Sequence, residues 1–212
     1  MNRNEEVIFI DGPVGAIETL VENPGAPRGI ALVCHPHPLF GGANTNKVTQ
    51  TLARTFTRLG YVALRPNFRG VGGSAGTHAD GRGEAEDMLA VLDAARQTYG
   101  DLPVVLAGFS FGAYVQTRVA QALAAAGQPA QRLVLVGTAA GFVEGARQYD
   151  VQAVAADTLV IHGAVDTTVP LANVLAWAEP LDLPVVVVPG ADHFFHRRLH
   201  VIRDIVTRAW RH

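Results

Sequence analysis

The sequence is poor in cysteine, in net charge and in long apolar runs, and each shortage closes a class of function. One cysteine, Cys34, excludes an intramolecular disulfide framework and a four-cysteine zinc site within one chain. Seventeen basic against 19 acidic side chains leave a formal charge of −2, so no whole-chain basic field exists to hold nucleic acid or an anionic membrane. All of the basic residues but Lys47 are arginines. The longest apolar runs, such as residues 133–136 and 185–188, fall far short of the ~20 residues a membrane span needs. The opening residues are polar and acidic where a signal peptide is basic and then apolar. The expectation is a cytoplasmic protein that engages neither nucleic acid nor membrane.

What is abundant points the other way, to a packed core. A chain 49% hydrophobic and 17% charged is not a disordered one. Its 212 residues suit one domain, residues 1–212, large enough to bury roughly 70% of its unfolded surface. The 22 glycines and 12 prolines imply many short elements joined by tight turns.

Short β-branched runs alternate with longer segments of helical spacing. Residues 7–10 and 16–21 flank Asp11-Gly12-Pro13 and read as an antiparallel pair. Strands are predicted at 29–34, 61–66, 103–109, 132–137, 158–162 and 184–188. Helices are predicted at 46–59, 84–99, 112–126, near 171–178, and at 195–210. The run 138–156 reads as a loop with one short helix, too short for a separate cap domain. Strand and helix in alternation are the grammar of a parallel sheet covered on both faces, an α/β fold.

Gly108-Phe109-Ser110-Phe111-Gly112 fits G-x-S-x-G, between a predicted strand and a predicted helix. Glycines two positions either side of the serine let a sharp strand-to-helix turn form, which presents the hydroxyl beside the free N–H groups of the new helix. A serine hydroxyl is a poor nucleophile without a base, and the base needs an acid to orient it.

Downstream lie His162, His193, His196, His200 and His212. His162 reads as a buried strand-end residue, and His196 and His200 fall in the predicted last helix. His193 stands in the loop between the last strand and that helix, where it can reach Ser110. Asp166 follows a predicted strand on the same rim and is the preferred acid. Its rival Asp192 is adjacent to His193 and is better placed to fix the turn through an Asx bond.

For the developing oxyanion the Phe111 amide supplies one donor. The second is expected from His35-Pro36-His37-Pro38, where the prolines have no N–H and register favours His37. Leu39 and Phe40, beside it, either line an acyl pocket or pack the loop onto the sheet. Phe194 faces the same choice, Phe195 reads as core, and Arg197-Arg198 as a solvated helix face.

Together these stretches resemble the α/β-hydrolase superfamily over nearly the whole chain. His35-Pro36-His37-Pro38 resembles the H-G-x-P loop, with Pro in place of Gly. The run from Arg69 to Gly76 resembles the R-G-x-G-x-S loop, and that from His162 to Pro170 the acid loop. Gly190 to Phe194 resembles the histidine loop. The stretch Cys34-His35-Pro36-His37-Pro38-Leu39-Phe40-Gly41-Gly42 is similar to small bacterial serine hydrolases related to dienelactone hydrolases. The resemblance implies an eight-stranded, mostly parallel sheet with an antiparallel second strand, no lid, and esterase-type activity on a small-molecule acyl substrate. Dienelactone hydrolases proper use a cysteine where this chain has Ser110.

The same residues admit rival readings. Gly70-Val71-Gly72-Gly73-Ser74-Ala75 fits a dinucleotide fingerprint, but no helix is predicted to start at its glycines. The sets His193, His196, His200 and Cys34, His35, His37 have ligand-like spacing. The first has Arg197 where a zincin has glutamate, and the second has prolines between its ligands. No cofactor and no metal are expected, and Cys34 reads as buried and inert. A hydrolase-shaped binding module without catalysis is the alternative class. Specificity is left to rim loops at residues 39–44, 78–82 and 142–149; neither the substrate nor the oligomeric state can be read.

Overall fold

The computed structural model describes residues 5–143 and 147–210. Residues 1–4 of the polar opening, residues 144–146 of one rim loop, and His212 lie outside the described residues. Glu5–Gly12 (β1) and Gly15–Glu22 (β2) form the expected hairpin, in register from Glu5 with Glu22 to Gly12 with Gly15. Then come Gly29–Cys34 (β3), helix Lys47–Arg58 (α1), Tyr61–Pro66 (β4), Arg82–Tyr99 (α2), Val104–Phe109 (β5) and Phe111–Ala125 (α3). Arg132–Val136 (β6), Gly141–Val143 (β7), Arg147–Tyr149 (β8), Leu159–Gly163 (β9), Leu171–Ala178 (α4), Val185–Val188 (β10) and Leu199–Ala209 (α5) follow.

Eight strands make one sheet in the order β1-β2-β4-β3-β5-β6-β9-β10. β2 runs antiparallel to both its neighbours, and the rest are parallel. β3, β4 and β5 are buried along their whole length, as continuous apolar runs covered on both faces must be. One core lies under α2 and α3, the other under α1 and α5. Among the described residues no helix is long and apolar enough to cross a membrane.

Three predicted elements are corrected. The last helix begins at Leu199 and not at 195, because Phe195 and Arg197 take left-handed φ angles of 52° and 61° that no helix continues. His196 and the exposed pair Arg197-Arg198 therefore sit in a turn, and His196 shares no helix with His200. α2 begins at Arg82, two residues earlier than predicted. The buried Glu84 carboxylate reaches back to accept from the Gly81 and Ala79 amides, both at 2.8 Å. The run 138–156 holds the β7–β8 hairpin where a short helix was expected. Tyr149 anchors it by packing against Tyr114 at 5.1 Å between ring centroids.

The Gly-rich loop after β4 closes on itself, with no helix at its glycines. Arg69 makes a two-pronged pair with Asp87 of α2 at 2.7 and 2.8 Å. Ser74 donates to the Asn67 carbonyl and accepts from the Glu18 amide.

His35 ties the exits of β3 and β4 together. Its ring is fully buried; Nδ1 donates to the Pro36 carbonyl at 2.6 Å, and Nε2 accepts from the Phe68 amide at 2.9 Å. The contact at Nε2 needs the neutral ring, and burial, the largest cause, lowers its pKa from 6.5 to about 3 against the opposing bond to Pro36. The unfolded chain then binds a proton at His35 that the folded chain refuses. Stability is unaffected above pH 6.5 and falls as pH drops from 6.5 toward 3, by about 1.4 kcal/mol per pH unit from this group. His35→Gln should be less stable at pH 7 and show a shallower loss on acidification. Urea titrations at a series of pH values check this, and equal slopes for the two proteins would refute it.

Candidate active site

The sharp turn between β5 and α3 is built by exclusion. A Cβ at Gly108 would run into the backbone of Gly112 and Ala113, and one at Gly112 into the carbonyls of Cys34 and His35. Ser110, between them, has φ 56° and ψ −119°, a strained conformation for a residue with a side chain. Its amide donates to the Val136 carbonyl at 2.9 Å, and its carbonyl accepts from the Ala139 amide at 3.2 Å. Neighbouring strand exits thus hold the strain in place.

The structure brings Ser110, His193 and Asp166 together. Ser110 Oγ lies 3.0 Å from His193 Nε2, and His193 Nδ1 lies 2.7 Å from Asp166 Oδ2. All three are buried. An ionised Asp166 can only accept, so Nδ1 carries the ring proton and Nε2 is left to accept from the serine hydroxyl. The other carboxylate oxygen of Asp166 accepts from the Thr168 and Val169 amides at 2.9 and 2.8 Å. The His193 ring packs on Phe109 at 4.9 Å. Asp192 makes no bond to that ring. Its carboxylate reaches residue i+4, accepting from the His196 amide at 3.0 Å and pairing with His196 Nδ1 at 2.6 Å, a longer clamp than the expected Asx bond.

His162 is the buried strand-end residue expected of it. Nε2 donates to the Val169 carbonyl at 3.0 Å and lies 3.5 Å from Asp166 Oδ2, while Nδ1 is buried without a partner. Burial pushes its pKa down, with Asp166 opposing, which keeps a second positive charge away from the carboxylate.

His37 stands between Pro36 and Pro38 with its amide donating to no acceptor among the described residues. Its carbonyl accepts from Phe40 at 3.1 Å and Gly42 at 3.0 Å, and its Nδ1 from the Leu39 amide at 3.2 Å. Burial first, and the neighbouring His78 and Arg147 next, lower its pKa to about 4. The Phe111 amide, at the first position of α3, has no acceptor within the helix.

A cavity of about 380 Å³ opens over Ser110, lined among others by His37, Phe40, Arg147, His193 and Phe194. Phe40 and Phe194 therefore face the cavity over Ser110. Leu39, 70% exposed, does not line it, and Phe195 is core. Sequence reasoning passed over Arg147, which reaches this cavity from the β7–β8 hairpin with its guanidinium 4.1 Å above the Phe40 ring. It also passed over His35 as the staple behind His37. Among the described residues no group of three His, Cys, Asp or Glu side chains is placed to hold a metal ion. Cys34 is fully buried, and burial pushes its thiol pKa up.

Comparison with known proteins agrees with this architecture. An uncharacterised protein of Rickettsia prowazekii is 44% identical over 112 residues, which cover 51% of this chain and 46% of that protein's own length. A solved α/β serine hydrolase homologue from Coxiella burnetii is 37% identical, with 97% of each chain covered and a TM-score of 0.82. A serine hydrolase without a lid from Xanthomonas campestris is 36% identical, with 100% of this chain and 95% of that one covered and a TM-score of 0.86. The family model for the alpha/beta hydrolase fold matches residues 32–184, from within β3 to the approach to β10; Ser110 and Asp166 lie inside it, and His193 lies beyond it. The chain belongs to the α/β-hydrolase family.

Proposed function

We propose that the protein is a serine hydrolase that cleaves a small ester or thioester through an acyl-enzyme. One observation carries this reading: the unbroken chain from Ser110 Oγ through both ring nitrogens of His193 to Asp166, with contacts of 3.0 and 2.7 Å. Ser110 attacks the acyl carbon while His193 Nε2 takes its proton. Asp166 holds the ring in that tautomer and stabilises the imidazolium that forms. His193 then gives the proton to the leaving oxygen or sulfur, and a water enters by the same route in reverse to release the acid.

The Phe111 and His37 amides hold the oxyanion. Support for His37 comes from its missing acceptor and from the flanking prolines, which fix the direction of its N–H before substrate arrives. Phe40 and Phe194 offer the acyl group apolar surface.

Ser110→Ala should lower kcat on a p-nitrophenyl ester by a factor of about 10³ or more, and should abolish labelling by a fluorophosphonate probe. Wild-type turnover in that variant would remove Ser110 from the mechanism. A native protein that takes no label would favour a hydrolase-shaped binding module. Asp166→Asn should cost a factor of up to about 10⁴ in kcat by favouring the wrong tautomer of His193. Asp192→Asn should cost far less, since its carboxylate is engaged by His196. If the two losses come out in the opposite order, the acid has been misassigned.

A further inference from the structure

A second cavity of about 560 Å³ adjoins the one over Ser110, and the two share His37 and Arg147 in their walls. Its character is different. Three arginines line it: Arg82 from the start of α2, Arg118 from α3 and Arg147 from the hairpin. Among the described residues the only carboxylate lining it is that of Asp80, whose side chain is 97% exposed. The neighbouring Glu84 already accepts from two backbone amides. A cation-rich cavity thus stands beside the nucleophile in a chain whose net charge is negative.

Arg82 and Arg118 are not explained by the fold. Arg82 occupies the first turn of α2, where the helix dipole disfavours a cation. Neither Arg82 nor Arg118 forms an ion pair with a carboxylate among the described residues. Arg118 is held on an aromatic face instead, 4.9 Å over the Tyr114 ring and donating to its hydroxyl at 2.6 Å, with Nε buried and unpartnered. The Tyr114 hydroxyl, accepting from Arg118, keeps its own proton to donate onward. A guanidinium fixed on an aromatic plane with a donor left over, as that of Arg118 is, suits a planar or tetrahedral oxyanion.

From this we infer that the second cavity is a subsite for an anionic group, so that the preferred substrate is an ester or thioester carrying a carboxylate or phosphate some bonds away from the scissile carbonyl. The inference rests on Ser110 being the nucleophile, as proposed above. His37 and Arg147, common to both walls, make the passage between the reacting carbonyl and the charged end. The acyl side and the leaving side are both open to such a group.

Two matched pairs of substrates test it. The first is p-nitrophenyl hydrogen adipate against its methyl ester, with the carboxylate on the acyl side. The second is acetylglycerol phosphate against monoacetylglycerol, with the phosphate on the leaving side. The native protein should favour the charged member of at least one pair by about tenfold or more in kcat/KM, mainly through KM, the equivalent of one charge-assisted hydrogen bond. That ratio should fall toward one in Arg118→Gln and in the more exposed Arg82→Gln. It should persist in Arg58→Gln, which lies at the opposite rim. A native ratio of one or less in both pairs overturns the subsite.

Calorimetric titration of glutarate and of inorganic phosphate onto the native protein separates this failure from failure of the hydrolase reading. Binding that is lost in both the Arg118 and Arg82 variants supports the subsite even where no ester is turned over. Absence of binding by either anion, with Ser110 still labelled by a fluorophosphonate, overturns the subsite and leaves the serine hydrolase standing.

Discussion

Everything at the rim depends on how closely α3 approaches the exits of β3 and β5. Gly112 lies against the carbonyls of Cys34 and His35, and Gly108 against the first turn of the helix, with no room for a Cβ at either place. That approach forces Ser110 into a left-handed φ, and the bonds to Val136 and Ala139 keep it there. Strain of this kind, of order 1–3 kcal/mol, persists only where surrounding structure overdetermines it. Here the overdetermining structure is the parallel register itself, which sets Cys34 opposite Gly108 and Phe109 opposite Val136.

The second theme is the neutral histidine used as a connector. His35, His37 and His162 are each held below the usual imidazole pKa, in every case first by burial. Each spends its two ring nitrogens differently. His35 bridges two loops, His37 accepts from its own loop, and His162 donates to the carbonyl of Val169, whose amide in turn binds Asp166. At His35 and His37 a lysine or arginine could not do this, since neither can accept a hydrogen bond. Keeping the His162 ring uncharged also leaves His193 as the ring paired with Asp166, with no competing cation in contact among the described residues.

Much of the fold could be read from residues 29–34 and 61–66, apolar runs bounded by glycine or proline that are strands over those residues in the structure. The site was legible where its parts lie at strand exits: Ser110, Asp166 and His193 each follow a strand by a few residues, so order along the chain predicts convergence. What failed to show was set by tertiary contact. The left-handed Phe195 follows from burying its ring beneath a turn that Asp192 and His196 clamp, and helical spacing alone cannot register that. The His35 staple joins residues 33 positions apart. Arg82, Arg118 and Arg147 come from three separate segments and have no local signature in common.

Among the described residues no separate cap covers the site, and this changes what the rim has to do. An enzyme that closes over its substrate excludes water at the moment of binding and strengthens its electrostatics by doing so. Here, among the described residues, only the short β7–β8 hairpin rises between β6 and β9. The rim loops must therefore hold their donors in place beforehand. Pro36 and Pro38 on either side of His37, the Glu84 carboxylate gathering the amides of residues 79 and 81, and Asp166 gathering those of 168 and 169 all serve this end. Each removes loop freedom during folding, so that little ordering is left for the reaction to demand. The same reasoning applies to the arginines. In a cavity open to water, screening leaves a mobile cation little advantage. A guanidinium seated on Tyr114 or Phe40 is already ordered and partly dry, and loses less when an anion arrives.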